Sequence, residues 1–223
     1  MPKSNLVIFD FCGTLIEFQT ADRYVQFCVR HLPSNRLVQC RHRLIQLMDA
    51  LRIFKIYNRL RPSNNWRKRM VLWQLKGLSR SQCDQMAREY FQQELRPGMV
   101  KPLVDRLQEH LANRDRVCIL SGGYDIYIHY FAEAYGIQEI ISSKIAFSND
   151  VCLGKMDGPD CMRENKIAYF NQLPRQKSER VIFYTDSPSD LPLLALVDEP
   201  IVVSRHAPQP WATERNYNQL VWN

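Results

Sequence analysis

No apolar run in this 223-residue chain is long enough to span a bilayer. No Cys-x-x-Cys pair occurs among the seven cysteines, at 12, 28, 40, 83, 118, 152 and 161. Their odd number and scatter exclude a zinc ribbon and speak against a disulfide framework. His31, His42, His110, His129 and His206 show no metal-ligand spacing. No nucleic-acid-binding motif, internal repeat or low-complexity tract is present, so nucleic acid is not expected as a partner. The chain enters an apolar strand pattern by residue 6, which is expected to leave no room for a signal peptide. These absences lead to the expectation of a soluble, cytoplasmic protein with no membrane partner. The 45% of hydrophobic residues is enough to bury a full core, which argues against disorder.

The positive charge is unevenly spread. The chain carries a net charge of +7, yet Ile16 to Arg96 holds 16 Lys and Arg against 6 Asp and Glu. That excess reads either as a solvated helical face or as an electropositive surface drawing a polyanionic substrate.

The segment patterns alternate. Leu6-Val7-Ile8-Phe9-Asp10 reads as a central strand. Ala21 to Phe91 reads as helical, broken at Arg61-Pro62-Ser63-Asn64-Asn65, with Ser79 as the N-cap of a helix over Gln82–Phe91. Arg96-Pro97-Gly98 is the return point. Helices are then predicted over Met99–Leu111, Asp125–Tyr135, Lys166–Leu173 and Asp190–Leu196. Gly136 is the expected C-cap of the second. Strands are predicted over Arg116–Leu120 and Arg180–Tyr184, with Pro200–Val203 as the last. Lys144–Phe147 and Val151–Leu153 are read as a hairpin, and Pro208-Gln209-Pro210-Trp211 as a terminal loop. Strands alternating with helices predict an α/β fold with a doubly wound parallel sheet.

Four short stretches carry chemistry. Asp10 ends an apolar strand and is followed by Phe11-Cys12-Gly13-Thr14, placing a carboxylate where open α/β sheets bind ligands. Ser121-Gly122-Gly123 follows a second strand and offers a hydroxyl and backbone N–H groups to an anion. Lys166 opens a helix and can neutralise a phosphoryl group, with Lys155 as its competitor. Asp186-Ser187-Pro188-Ser189-Asp190 sets two carboxylates four apart at a strand end, which suits a hard, hydrated cation.

In this order the four stretches resemble the haloacid dehalogenase (HAD) superfamily, on its phosphoserine-phosphatase-like branch. The resemblance implies a Rossmann-like core over residues 1–15 and 97–223 and an all-helical cap over 16–96. It also implies a phosphomonoester hydrolase in which Asp10 forms an aspartyl-phosphate. Mg²⁺ would then be held by Asp10, the backbone carbonyl of Cys12 and Asp186, with Asp190 supporting that shell. Ser121, Gly122 and Lys166 would bind the phosphoryl group, and the partner would be a small phosphorylated molecule.

Two departures stand out. The family's second Asp, its acid and base, is Cys12 here. Beside Mg²⁺ and Lys166 this thiol is expected to lean toward thiolate, which cannot donate a proton. Three explanations stay open: a leaving group or another acid that makes up for it, a binding protein with little turnover, or another HAD reaction. Phosphonate cleavage would need a cap lysine, and Lys55, Lys68 and Lys76 are candidates. Gln19 stands where phosphoserine phosphatases carry a Glu for the substrate ammonium, so a phosphoserine substrate is disfavoured. The basic cap points instead to an additional negative charge. The first motif and Phe18-Gln19-Thr20-Ala21-Asp22 are similar to HAD phosphatases of bacterial surface-polysaccharide synthesis, which would imply a phosphorylated sugar or a nucleotide-linked intermediate.

Overall fold

The computed structural model describes residues 5–60, 66–176 and 179–223. Leu6–Phe9 forms β1, short, wholly buried and central. Six further strands complete one sheet: β2 (Arg116–Tyr124), β3 (Glu139–Ser148), β4 (Val151–Asp157), β5 (Val181–Thr185), β6 (Glu199–Arg205) and β7 (Asn218–Trp222). Their order is β4-β3-β2-β1-β5-β6-β7, with every pair parallel except the β3–β4 hairpin. The fold is therefore α/β and doubly wound, as the alternation predicted. The chain leaves β1 toward β2 on one side and later returns to β5 on the other, so the carboxyl ends of β1, β2 and β5 meet at a topological switch point.

Side-chain alternation builds two cores, one on each face of the sheet. Val7, Phe9, Ile119 and Tyr184 join the core that also packs under the helices before β2. Leu6, Ile8, Cys118, Leu120 and Phe183 join the core on the opposite face. Because β1 is buried on both faces, it reads as a continuous apolar run.

Between β1 and β2 lie α1 (Thr20–His31), α2 (Arg36–Ala50), α3 (Ile53–Leu60), α4 (Trp66–Trp73) and α5 (Arg80–Tyr90). A π-helical turn over Phe91–Leu95 and then α6 (Lys101–Ala112) follow. Ser79 caps α5 as predicted, in a capping box with Gln82. The predicted break at Arg61–Asn65 lies outside the described residues. Later helices are α7 (Asp125–Tyr135), α8 (Glu164–Gln172), a 3₁₀ turn at Pro188–Asp190, α9 (Leu191–Leu194) and α10 (Pro210–Thr213). Gly136 closes α7 in the left-handed region, at φ 71°.

Three expectations need correction. β6 is not the last strand: β7 adds a parallel edge, with Ile201–Arg205 registered on Asn218–Trp222. Pro210–Trp211 begins a helical turn rather than continuing a loop, since a proline at the first helical position loses no needed N–H. Ser121-Gly122-Gly123 does not follow the second strand but lies within it, at a register shift between Ser121 and Tyr124 of β2. Among the described residues, no helix is long and apolar enough to cross a membrane.

Candidate active site

Asp10 follows directly on β1, buried, with its backbone N–H bonded to the Tyr184 carbonyl at 2.9 Å. Its carboxylate is oriented from both sides. Oδ1 accepts the Phe11 N–H at 2.7 Å, and Oδ2 stands 3.3 Å from Lys166 Nζ. Lys166 comes from the first turn of α8 and also donates to Asp190 Oδ2 at 2.7 Å. Thr185, at the end of β5, donates to that same oxygen at 2.7 Å. Lys155, the competing lysine, lies exposed on β4, away from this group.

Asp186 faces the same point from the end of β5. Its N–H donates to Thr14 Oγ1 at 3.1 Å, and the Thr14 hydroxyl donates back to Asp186 Oδ1 at 3.2 Å. Gly13 makes this approach possible. At φ 78° it adopts a conformation that side chains disfavour, and a Cβ there would occupy the place of the Asp186 carboxylate.

Two carboxylates, Asp10 and Asp190, therefore contact one ammonium, and Asp186 lines the same cavity. Burial raises Asp10, Lys166 opposes the rise, and Asp190 adds to it. Burial pulls Lys166 down, but Asp10 and Asp190 outweigh it and hold the ammonium above the usual lysine range. Asp186 is pushed up to about 7 by burial and then by the charge on Asp10. The excess negative charge at Asp10 and Asp186 suits a divalent cation. Among the described residues, no cluster of three or more His, Cys, Asp or Glu side chains could hold a metal. Two carboxylates and one backbone carbonyl nonetheless fit Mg²⁺, which keeps several of its waters.

Burial, and next the charge on Asp10, push the Cys12 thiol up in the metal-free protein, opposite in direction to the lean toward thiolate expected beside Mg²⁺ and Lys166. Its sulfur lies 3.0 Å from Thr20 Oγ1, which lies 2.7 Å from Tyr127 Oη, and Tyr127 Oη accepts the Tyr124 N–H at 2.8 Å. Satisfying each buried donor in turn makes Tyr127 donate to Thr20 and Thr20 donate to sulfur. The Cys12 proton is then free to point into the cavity.

That cavity measures about 280 Å³ and lies between the carboxyl ends of the central strands and the helical block. Asp10, Ser121, Gly122 and Lys166 line its floor, with Gln19 and Arg67 at its helical wall. A larger groove, of about 790 Å³, runs along α7, β3 and α8 and contains none of the four motifs. Of the three cap lysines considered for phosphonate chemistry, Lys68 is buried and lines the smaller cavity, whereas Lys55 and Lys76 are exposed.

Sequence reasoning missed Asp22, Arg67 and Asp160. Arg67 pairs with Asp22 and reaches Asp49 at 3.4 Å, and Lys68 pairs with Asp160 at 2.5 Å. Much of the positive charge that the helical block brings to the cavity is thus already paired. No periodicity marks such partners, since they lie 18 to 92 residues apart.

A histidinol-phosphatase of Neisseria meningitidis serogroup C (strain 8013) is 26% identical over 211 residues, covering 91% of each chain. A Bordetella pertussis Tohama I protein of unknown function superposes with a TM-score of 0.80, at 24% identity and 98% coverage of both chains. A probable phosphoserine phosphatase from Vibrio cholerae gives 0.68 at 14% identity, covering 98% of this chain and 60% of its own. These two likenesses support the fold of the phosphoserine-phosphatase-like branch. The family model for haloacid dehalogenase-like hydrolases matches residues 7–195, a span that runs from β1 through the Asp186–Asp190 loop, and the chain belongs to that family.

Proposed function

We propose that the protein is a Mg²⁺-dependent phosphatase that hydrolyses a small phosphomonoester through an aspartyl-phosphate on Asp10. The observation that carries this reading is the joint placement of Asp10, Lys166 and Asp186 at the floor of one cavity. Its oriented carboxylate suits Asp10 for attack on phosphorus in line with the leaving oxygen. An Oδ–P bond forms as the ester O–P bond breaks, and the leaving oxygen takes up a proton. Water then cleaves the acyl-phosphate at phosphorus, which frees phosphate and restores Asp10. Lys166 and the Ser121 hydroxyl stabilise the equatorial oxygens. Asp10, the Cys12 carbonyl and Asp186 would hold Mg²⁺, which when bound neutralises phosphoryl charge. Asp190 keeps Lys166 in place. The Cys12 thiol is the nearest protonated group in the position of the family's acid, and a weaker acid than a carboxylic one, so activated leaving groups are favoured.

The helical block over 16–96 acts as the cap and supplies the substrate wall. A cavity of about 280 Å³ favours a phosphorylated sugar or a smaller ester over a nucleotide-linked intermediate. The tie to surface-polysaccharide synthesis rests on the first motif together with Phe18-Gln19-Thr20-Ala21-Asp22. Histidinol phosphate is a second candidate, because the Neisseria relative bears that name and Asp22 places a carboxylate in the cavity wall. The test is phosphate release, with Mg²⁺ and with chelator, from an activated aryl phosphate, sugar phosphates, histidinol phosphate and phosphoserine. Metal-dependent release supports the reading. Metal-dependent ligand stabilisation with no release from any ester favours a phospho-ligand-binding protein instead.

A further inference from the structure

Resting on that reading, we infer that Lys68 is a positioning residue for Ser121, acting from the helical block on the backbone of β2 that carries it. Lys68 lies on α4 and is buried, at 6% exposure. Its ammonium donates to the Gly122 carbonyl at 2.5 Å and to Asp160 Oδ1 at 2.5 Å, with Ser143 Oγ at 3.5 Å. Asp160 also accepts from the Ser143 hydroxyl at 2.6 Å, which holds it as Lys68's partner. A buried lysine held this way is fixed in direction and neutralised by its own partner, so its positive charge is not what the substrate meets.

The bond to Gly122 decides which way one peptide faces. With the Gly122 carbonyl turned to Lys68, the N–H of that peptide, which belongs to Gly123, is turned the other way. It donates to Ser121 Oγ at 3.2 Å. That bond occupies an acceptor position of the Ser121 oxygen, and among the described residues the fully buried hydroxyl has no acceptor for its own proton. The proton is therefore left to be donated into the cavity, where a phosphoryl oxygen is to be bound. This stretch of β2 has little room to settle otherwise. A Cβ at Gly122 would come 2.5 Å from Met162 Cγ, and one at Gly123 would come 2.8 Å from Ile128 Cδ1. Lys68 thus orients a phosphate donor that it does not touch, and it does so across 54 residues of sequence. The phosphate site is complete only with α4 seated on the sheet edge.

The test is a double-mutant cycle of Lys68→Met and Ser121→Ala, read in the affinity for inorganic phosphate by titration calorimetry and in KM and kcat for the best ester. Each single variant is expected to weaken phosphate binding about tenfold. In the Ser121→Ala background, Lys68→Met is expected to add no more than about twofold. Lys68→Arg should recover part of the loss, and it carries the same cycle if the methionine variant does not fold. A purely structural role would lower the melting temperature and the active fraction in both backgrounds alike, leaving the affinity of the folded fraction unchanged. Additive losses, or an unchanged affinity, overturn the inference. Ester cleavage by the wild type with additive losses keeps the phosphatase reading and removes this role. Coupled losses of phosphate affinity without ester cleavage do the reverse.

Discussion

Lys166 Nζ donates to Asp190 Oδ2 at 2.7 Å while standing 3.3 Å from the other carboxylate in its reach, Asp10. The shorter bond fixes the lysine, and the longer one leaves the proposed nucleophile able to move toward phosphorus. Both lysine and Asp190 are buried, so the pair cannot fall back on water. Asp190→Ala should lower stability by about 3 kcal/mol, because a buried ammonium loses half of its compensation. Chemical denaturation measures this loss, and turnover should fall with it. A stability change within error would show that Asp10 alone suffices to hold Lys166.

Gly13 is the narrowest constraint at the site. Gly13→Ala should cost about 1 kcal/mol for the positive φ and should displace Asp186 from its bond with Thr14. The larger effect is expected on the metal. Mg²⁺ should raise the melting temperature of the wild type, and this rise should be lost in Gly13→Ala while the variant still unfolds cooperatively. A full Mg²⁺ response in that variant would remove Asp186 from the proposed ligand set.

A pH dependence follows from Asp186. In the metal-free protein its pKa is pushed up to about 7, above the ordinary carboxylate value near 4. The folded state then binds the proton more tightly than the unfolded state. This group's contribution to stability is full below pH 4 and is lost as pH rises toward 7, at up to about 1.4 kcal/mol per pH unit. With chelator present, wild-type stability should fall across that window, and Asp186→Asn should flatten the fall. Identical pH profiles for the two proteins would contradict the placement of this carboxylate.

Under the proposed mechanism, the Cys12 thiol sets the demand on the leaving group. Cys12→Asp should raise turnover of alkyl phosphates by about tenfold or more, while aryl phosphates change less. Comparing kcat for the two ester classes checks this. An unchanged alkyl rate with an intact fold would mean that another group supplies the proton.

Much of this molecule was legible in its sequence, for identifiable reasons. β1 and β5 are buried on both faces, so they read as unbroken apolar runs that end on Asp10 and just before Asp186. The α5 cap and the Gly136 stop are local, each set by a few adjacent residues. β7 was missed because an edge strand of alternating exposure needs no continuous apolar run. The extension of β2 through Ser121-Gly122-Gly123 is hidden in the sequence because glycines weaken a strand pattern, whereas here they allow close packing against Met162 and Ile128. Lys68 was one of three equivalent lysines by sequence. Its distinction lies wholly in Gly122 and Asp160, partners that only the folded chain brings near. The burial that pushes the Cys12 thiol up in the metal-free protein was not legible either, because it depends on the whole fold.

The central claim is that Asp10 carries the phosphoryl group in a covalent intermediate. Rapid acid quench of the wild type with Mg²⁺ and an activated aryl phosphate, followed by peptide mass spectrometry, tests it directly. The account predicts one added phosphoryl group on the peptide bearing Asp10, absent in Asp10→Asn, which should also release no phosphate while keeping its fold. Phosphate release at a near-normal rate by Asp10→Asn, with no phosphorylated peptide in the wild type, would contradict it.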